Sequence, residues 1–137
     1  MDVRSLLNQL SDGVFHSGSS LGATLGVSRA AIWKALGRLS EFSLDIESVK
    51  GKGYRLRGGI DLLDIDKILV EIPSYQQEKI NVNLLLSTES TNKWLLSKQE
   101  LSNKFEFCIS EMQKEGRGRR GKVWVSPFGK NVYLSVA

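Results

Sequence analysis

The sequence predicts an α+β chain in two parts: a winged helix-turn-helix over residues 1–60, then a sheet domain over residues 61–137. Three observations carry this. Three apolar stripes at helical spacing crowd into the first 39 residues. Two short alternating segments then flank the basic turn Lys50-Gly51-Lys52-Gly53. From Ile60 onward, alternating and apolar runs bounded by turn residues take over, as strands entering a core do.

The elements follow in order. Val3, Leu6, Leu7 and Leu10 predict a first helix, ended by Ser11-Asp12-Gly13. Ser17-Gly18-Ser19-Ser20 offers a polar start to a second helix carrying Leu21, Ala23, Thr24 and Leu25. Gly26 tolerates the left-handed conformation of a sharp helix exit. Ser28 can cap a third helix, Arg29 to Leu39, by accepting a backbone N–H bond. Ile32, Ala35, Leu36 and Leu39 form its apolar stripe, which leaves Arg29, Ala30, Trp33, Lys34 and Arg38 mainly on other faces. Two helices around such a turn read as a helix-turn-helix, whose second helix enters the major groove of DNA. Leu44, Ile46 and Val49 alternate with polar residues, and Tyr54-Arg55-Leu56-Arg57 reads as the returning strand of a wing.

The expected DNA-facing set is therefore Ser28, Arg29, Ala30, Trp33, Lys34 and Arg38 on the helix, with Lys50, Lys52 and Arg55 on the wing neutralising phosphates. Two alternatives stand beside it: helix-turn-helix units also serve as protein-interaction modules, and a basic hairpin is often a solvated edge. Trp33 covers the core edge or contacts DNA. Gly37, inside the third helix, costs about 1 kcal/mol relative to alanine, and close packing is the one reason the sequence offers for it. His16 reads as a structural loop residue.

In the second part, Asp64 to Leu69 reads as a short helix broken by Ile72-Pro73-Ser74, and Ile80 to Leu86 as a strand. The polar run Ser87 to Asn92 either caps the helix that carries Trp94, Leu95 and Leu96 or presents donors to a ligand at its N-terminus. Phe105 to Met112 reads as a strand with Cys108 buried in it. Next comes the densest chemical signal, Gly116-Arg117-Gly118-Arg119-Arg120-Gly121-Lys122. Its glycines admit close backbone approach, and its cations repel one another until an anion arrives. It formally matches G-x-G-x-x-G, yet Lys122 to Pro127 looks extended where a dinucleotide site would open a helix. An electrostatic surface loop, contacting RNA for instance, is the competing reading. Trp124 and Phe128 belong to the core or wall a pocket. Asn131 to Ala137 reads as a strand in a sheet that is expected to continue past the last residue.

Composition narrows the chemistry. One cysteine and one histidine exclude an internal disulfide and a His/Cys zinc site. No aliphatic run approaches the roughly 20 residues that span a bilayer, and Met1-Asp2-Val3-Arg4 lacks the charged-then-apolar layout of a signal peptide. A cytoplasmic location without a membrane partner is expected. Net charge is +3 over residues 1–60, −3 over 61–100 and +4 over 101–137, so the two basic regions point to two anionic partners.

Phe15-His16-Ser17-Gly18, Leu25 to Ile32 and Gly51-Lys52-Gly53-Tyr54 resemble the repressor half of BirA-type bifunctional biotin protein ligases. Ser90-Thr91-Asn92, Gln113, Gly116 to Gly121 and Trp124 with Ser126 to Gly129 resemble the opening of that family's ligase domain, a mixed sheet with helices. The resemblance runs through essentially all of the chain. It implies an enzyme that makes biotinyl-5′-AMP from biotin and ATP with Mg2+, and transfers biotin to a lysine of a biotin carboxyl carrier protein. It also implies a homodimer, formed when ligand is bound, that represses the biotin operon at a duplex DNA operator. By resemblance, Ser90, Thr91, Asn92 and Gln113 line the biotin pocket. Arg117, Gly118 and Arg119 close over biotin and the adenylate, and Arg117, Arg119 and Arg120 form the adenylate loop that serves catalysis. No protein-held metal is implied. The family's later Lys-Trp-Pro-Asn-Asp segment does not occur within these residues, so a truncated catalytic domain, inactive as a ligase alone, is expected. The alternative is a stand-alone winged-helix regulator with a remnant ligand-sensing domain.

Overall fold

A computed structural model describes residues 2–98 and 103–137. They form two compact units, Met1–Leu62 and Leu63–Ala137.

In the first unit each α-helix begins where a side chain supplies the missing acceptor. Asp2 accepts from the N–H groups of Arg4 and Ser5 at the start of α1 (Val3–Leu10). Ser17 accepts from Ser20 at the start of α2 (Gly18–Leu25), which ends at Gly26 with φ 65°. Ser28 accepts from Ala31 at the start of α3 (Arg29–Leu39). These bonds satisfy N–H groups that a helix cannot pair internally. Leu6, Leu7, Leu10, Leu21, Ile32 and Leu39 are fully buried and make the core. The wing is an antiparallel pair, β1 (Ile46–Val49) and β2 (Gly53–Leu56), and Leu56 closes the core beneath it. His16 adds a third rung: its N–H and carbonyl both pair with Tyr54, each at 2.8 Å. That approach requires glycine next door. Gly53 has φ 104°, and a Cβ there would run into the His16 carbonyl.

One expectation is corrected. Gly37 does not serve close packing, because it lies on the exposed side of α3 and a Cβ there would meet nothing within 4 Å.

The second unit holds α4 (Ile65–Val70), capped by Asp64, and α5 (Ser74–Gln77). The sequence shows Pro73 only as a break; its fixed φ also suits the entry to a new helical turn. Then come β3 (Ile80–Leu85), α6 (Thr91–Leu96), β4 (Phe105–Ser110) and β5 (Tyr133–Val136). The sheet order is β3-β4-β5, with β3 and β4 parallel and β4 and β5 antiparallel. The parallel pair needs a crossover, and α6 lies within it. Leu95, Cys108, Ile109, Phe128 and Tyr133 are buried between the sheet and its surrounding segments. Burial in this apolar setting pushes the Cys108 thiol up to about 11, so it packs as a small hydrophobe. Glu111, also buried, accepts the Leu63 N–H at 2.8 Å and anchors the start of the unit. Among the described residues no helix is long and apolar enough to cross a membrane.

Candidate functional site

A cavity of about 480 Å³ in the second unit opens between the start of α6, the segment after β4, and β5. Ser90 caps α6 by accepting from the Lys93 N–H at 3.4 Å. The Gln113 side-chain carbonyl accepts from the Thr91 N–H at 2.9 Å and from the Thr91 hydroxyl at 3.2 Å. That hydroxyl also lies 2.8 Å from Ser135 Oγ on β5, and Thr91 is 3% exposed. One buried threonine thus ties three segments together. Because a backbone N–H can only donate, the amide oxygen of Gln113 must face Thr91. Its NH2 is turned towards Gly116, with no partner among the described residues.

The glycine-arginine loop is pinned at both ends. A Cβ on Gly116 would come within 2.9 Å of Trp124 Cδ1 and 3.1 Å of Ser126 Oγ, so a larger residue here would have to push these side chains aside. Arg117 bridges to Val123, and Gly118 donates to the Lys122 carbonyl at 2.9 Å. The turn between them holds Arg120 at φ 58°, in the left-handed region. Arg117 lines the cavity; Gly118, Arg119 and Arg120 do not. The structure therefore gathers Ser90, Thr91, Asn92, Gln113 and Arg117 and leaves the loop tip in solvent.

Charge at the cavity rim is sorted by the two ion pairs of Lys93. Lys93 Nζ lies 2.7 Å from Glu115 and 3.3 Å from Glu89. The hydrogen bond to Glu115 holds the Lys93 ammonium above its ordinary range, and the reciprocal bond holds the Glu115 carboxyl below its own. Lys93 and Glu115 largely cancel, and Arg117 remains as the cation facing the cavity. Trp124, Val132 and Leu134 supply apolar wall. The site suits a ligand with an apolar body, a hydrogen-bonding end and an anionic group. Among the described residues no three His, Cys, Asp or Glu side chains cluster to hold a metal ion.

Sequence reasoning missed Ser135, Lys93 and Glu115. A lone serine within the apolar run Val132 to Val136 was the available signal for the first; the ion pair spans 22 residues and had none.

The first unit presents a cationic face. Arg29, Ala30, Trp33, Lys34 and Arg38 are all exposed on α3, as are Lys50 and Lys52 on the wing tip. Arg29 and Lys50 share one cleft of about 330 Å³ with Ser17 and Ser19 at the start of α2. Gly18 makes room there, since a Cβ would crowd the Arg29 side chain at 3.3 Å. Ser28 uses its hydroxyl on its own helix. Arg55 stands apart: Glu47 holds it at 2.7 Å and it lies 4.5 Å over the Phe15 ring, so it braces the wing.

Comparison with known proteins matches both units. Residues 3–55 match the family described as HTH domain, and residues 84–137 match the biotin/lipoate A/B protein ligase family. The chain is 45% identical over 132 residues to the bifunctional ligase/repressor BirA of Salmonella typhimurium, covering 96% of this chain and 40% of that protein. It is 44% identical to BirA of Escherichia coli over 96% of this chain and 39% of that protein. To BirA of Bacillus subtilis it is 31% identical over 89% of this chain and 38% of the relative. The chain thus spans about 40% of the length of the relatives it matches. It is a homologue of the amino-terminal part of the BirA bifunctional ligase/repressors, a helix-turn-helix domain followed by part of a biotin/lipoate protein ligase domain.

Proposed function

We propose that the second unit carries the biotin and adenylate half-site of an ATP-dependent biotin protein ligase, and that the first unit binds operator DNA as a repressor. The observation that supports the ligase reading best is the Gln113–Thr91–Ser135 joint, which ties the start of α6 to β5 beside the cavity that Arg117 also lines. In this reading Ser90, Asn92 and the free Gln113 NH2 bind the polar end of biotin, and Trp124 with Val132 and Leu134 cover its apolar body. The carboxylate of biotin attacks the α-phosphorus of ATP and pyrophosphate leaves, giving biotinyl-5′-AMP. A carrier lysine amine then attacks the acyl carbon and AMP leaves.

Arg117 meets the anionic end of the ligand, and Arg119, Arg120 and Gly118 join it when the loop folds over the adenylate. Fixed cations in a closed site stabilise charge that builds at phosphorus, and closure keeps water from the mixed anhydride. Magnesium belongs with the phosphates of ATP, because the cavity carboxylate, Glu115, is engaged by Lys93. The functional division is drawn at 60/61, as read from the sequence, two residues before the compact units divide at Leu62 and Leu63. The partners are operator DNA, a biotin carboxyl carrier protein and a second copy of the ligand-bound protein, in the cytoplasm.

Titration of biotin and of a non-hydrolysable biotinyl-adenylate analogue against the chain tests the site. The analogue is expected to bind more tightly than biotin, and Gln113→Ala to weaken both. Equal affinity of wild type and Gln113→Ala would remove the cavity from the reading.

A further inference from the structure

We infer that Trp33 is a sequence-reading residue of α3 that contacts the 5-methyl group of thymine in the major groove. This rests on the DNA-binding reading of the first unit and goes beyond it by assigning a base. Trp33 is 71% exposed, although tryptophan is among the side chains that folding most gains by covering. Its indole makes no hydrogen bond or cation–π contact among the described residues. The core-edge alternative fails on this exposure. Its neighbours on the helix, three and four residues away, are Arg29, Ala30 and Gly37, all exposed, and the half-buried Leu36. It is thus a lone aromatic in a cationic field, whereas protein-docking surfaces gather apolar residues into a patch.

The surrounding charge fits a polyanion. Arg29 and Lys50 share a cleft beside the start of α3, and Lys34 and Arg38 continue the field along the helix. Ala30 and Gly37 lie about one turn to either side of Trp33, and a Cβ on Gly37 would meet nothing within 4 Å. Nothing bulky there holds the indole off a groove floor. The indole can donate one hydrogen bond and accept none, so it cannot make the paired donor–acceptor contact that reads adenine. Its broad apolar face matches the one apolar group the major groove displays, the thymine methyl. The flanking cations contact phosphates and position the helix without regard to sequence.

The 137-residue chain is used to select duplexes from a randomised pool, in parallel with Trp33→Ala and Trp33→Phe. Thymines of the selected duplex are then replaced one at a time by deoxyuridine, which removes only the methyl group. At one or two positions the replacement is expected to weaken wild-type binding about fourfold, near the worth of one buried methyl. Trp33→Phe should keep that sensitivity and Trp33→Ala should lose it, while both retain the wild-type salt dependence. Circular dichroism of the variants verifies folding, which an exposed site leaves intact. Binding that is sequence-selective but indifferent to every deoxyuridine overturns the assignment of Trp33 and leaves the DNA-binding reading standing. Salt-dependent binding without any selected sequence does the same. Absence of binding at low salt overturns both.

Discussion

Arg55 and Glu47 sit directly opposite each other across the wing, and both Nε and a terminal nitrogen of Arg55 lie 2.7 Å from the same Glu47 carboxylate oxygen. Arg57 reaches that oxygen as well, at 3.3 Å. The sequence shows Arg55 only as one more cation near a basic tip; the hairpin register makes it a brace, with Phe15 against its other face. Lys50 and Lys52 are the exposed cations of the wing tip.

Salt dependence of duplex DNA binding separates these roles. Lys50→Ala or Lys52→Ala should reduce the slope of log K against log salt by roughly 0.9 for each phosphate that is no longer neutralised. Arg55→Ala should lower the Tm of the first unit and leave the slope as in wild type. A slope change for Arg55 equal to that of the lysines would return it to the phosphate-binding set.

The same pair sets an acid limit. The hydrogen bond from Arg55 holds the Glu47 carboxyl below its ordinary 4.5, and His16 similarly holds Asp12 below its own ordinary value. Folding lowers these pKa values, so the unfolded chain binds more protons through the acid range and stability rises with pH there. This contribution is complete above about pH 4.5 and is lost as pH falls through the folded values. Urea unfolding from pH 3 to 7 should show that slope, and Glu47→Gln should flatten part of it. An unchanged profile in Glu47→Gln would mean the pair is too solvated to matter.

Gly37→Ala should stabilise the first unit by about 0.5–1 kcal/mol, because the position is helical and exposed with open space at Cβ. Gly53→Ala should destabilise it by more than that, through its φ of 104° and the His16 carbonyl. Thermal melts of the two variants should therefore move in opposite directions.

Thr91→Val keeps the shape of the buried side chain but strands the Ser135 hydroxyl and one bond of Gln113. The expected cost is about 1–3 kcal/mol in the second unit. Urea unfolding followed by Trp94 and Trp124 fluorescence in a Trp33→Phe background measures it. Gly116→Ala should preserve more of this stability yet weaken biotin, since its Cβ would crowd Trp124 at the mouth of the loop. Equal biotin affinity in Gly116→Ala and wild type would detach that glycine from binding.

Arg119→Ala should leave stability unchanged, because Arg119 is exposed at the loop tip, and should speed escape of a bound biotinyl-adenylate analogue. Stopped-flow dissociation measures this. A dissociation rate equal to that of wild type would leave Arg117 as the loop cation that matters.

Local signals in the sequence determined the helices, their caps and the wing. Ser17, Ser28 and Gly26 act through bonds and torsions within a few residues of themselves, so their roles are legible without the fold. The glycine-arginine loop was likewise legible as an anion-seeking segment, and Ser90 as a helix cap. Only the tertiary structure decided which charges are free and which are paired. Arg55 meets Glu47 through strand register, and Lys93 meets Glu115 across 22 residues. The cavity exists because Thr91, Gln113 and Ser135 converge from α6, the segment after β4, and β5, with Thr91 and Ser135 44 residues apart. Such convergence depends on the parallel and antiparallel pairings of β3, β4 and β5. A pattern of period two specifies a strand but not its neighbour, and that choice is made by the packing of the whole sheet.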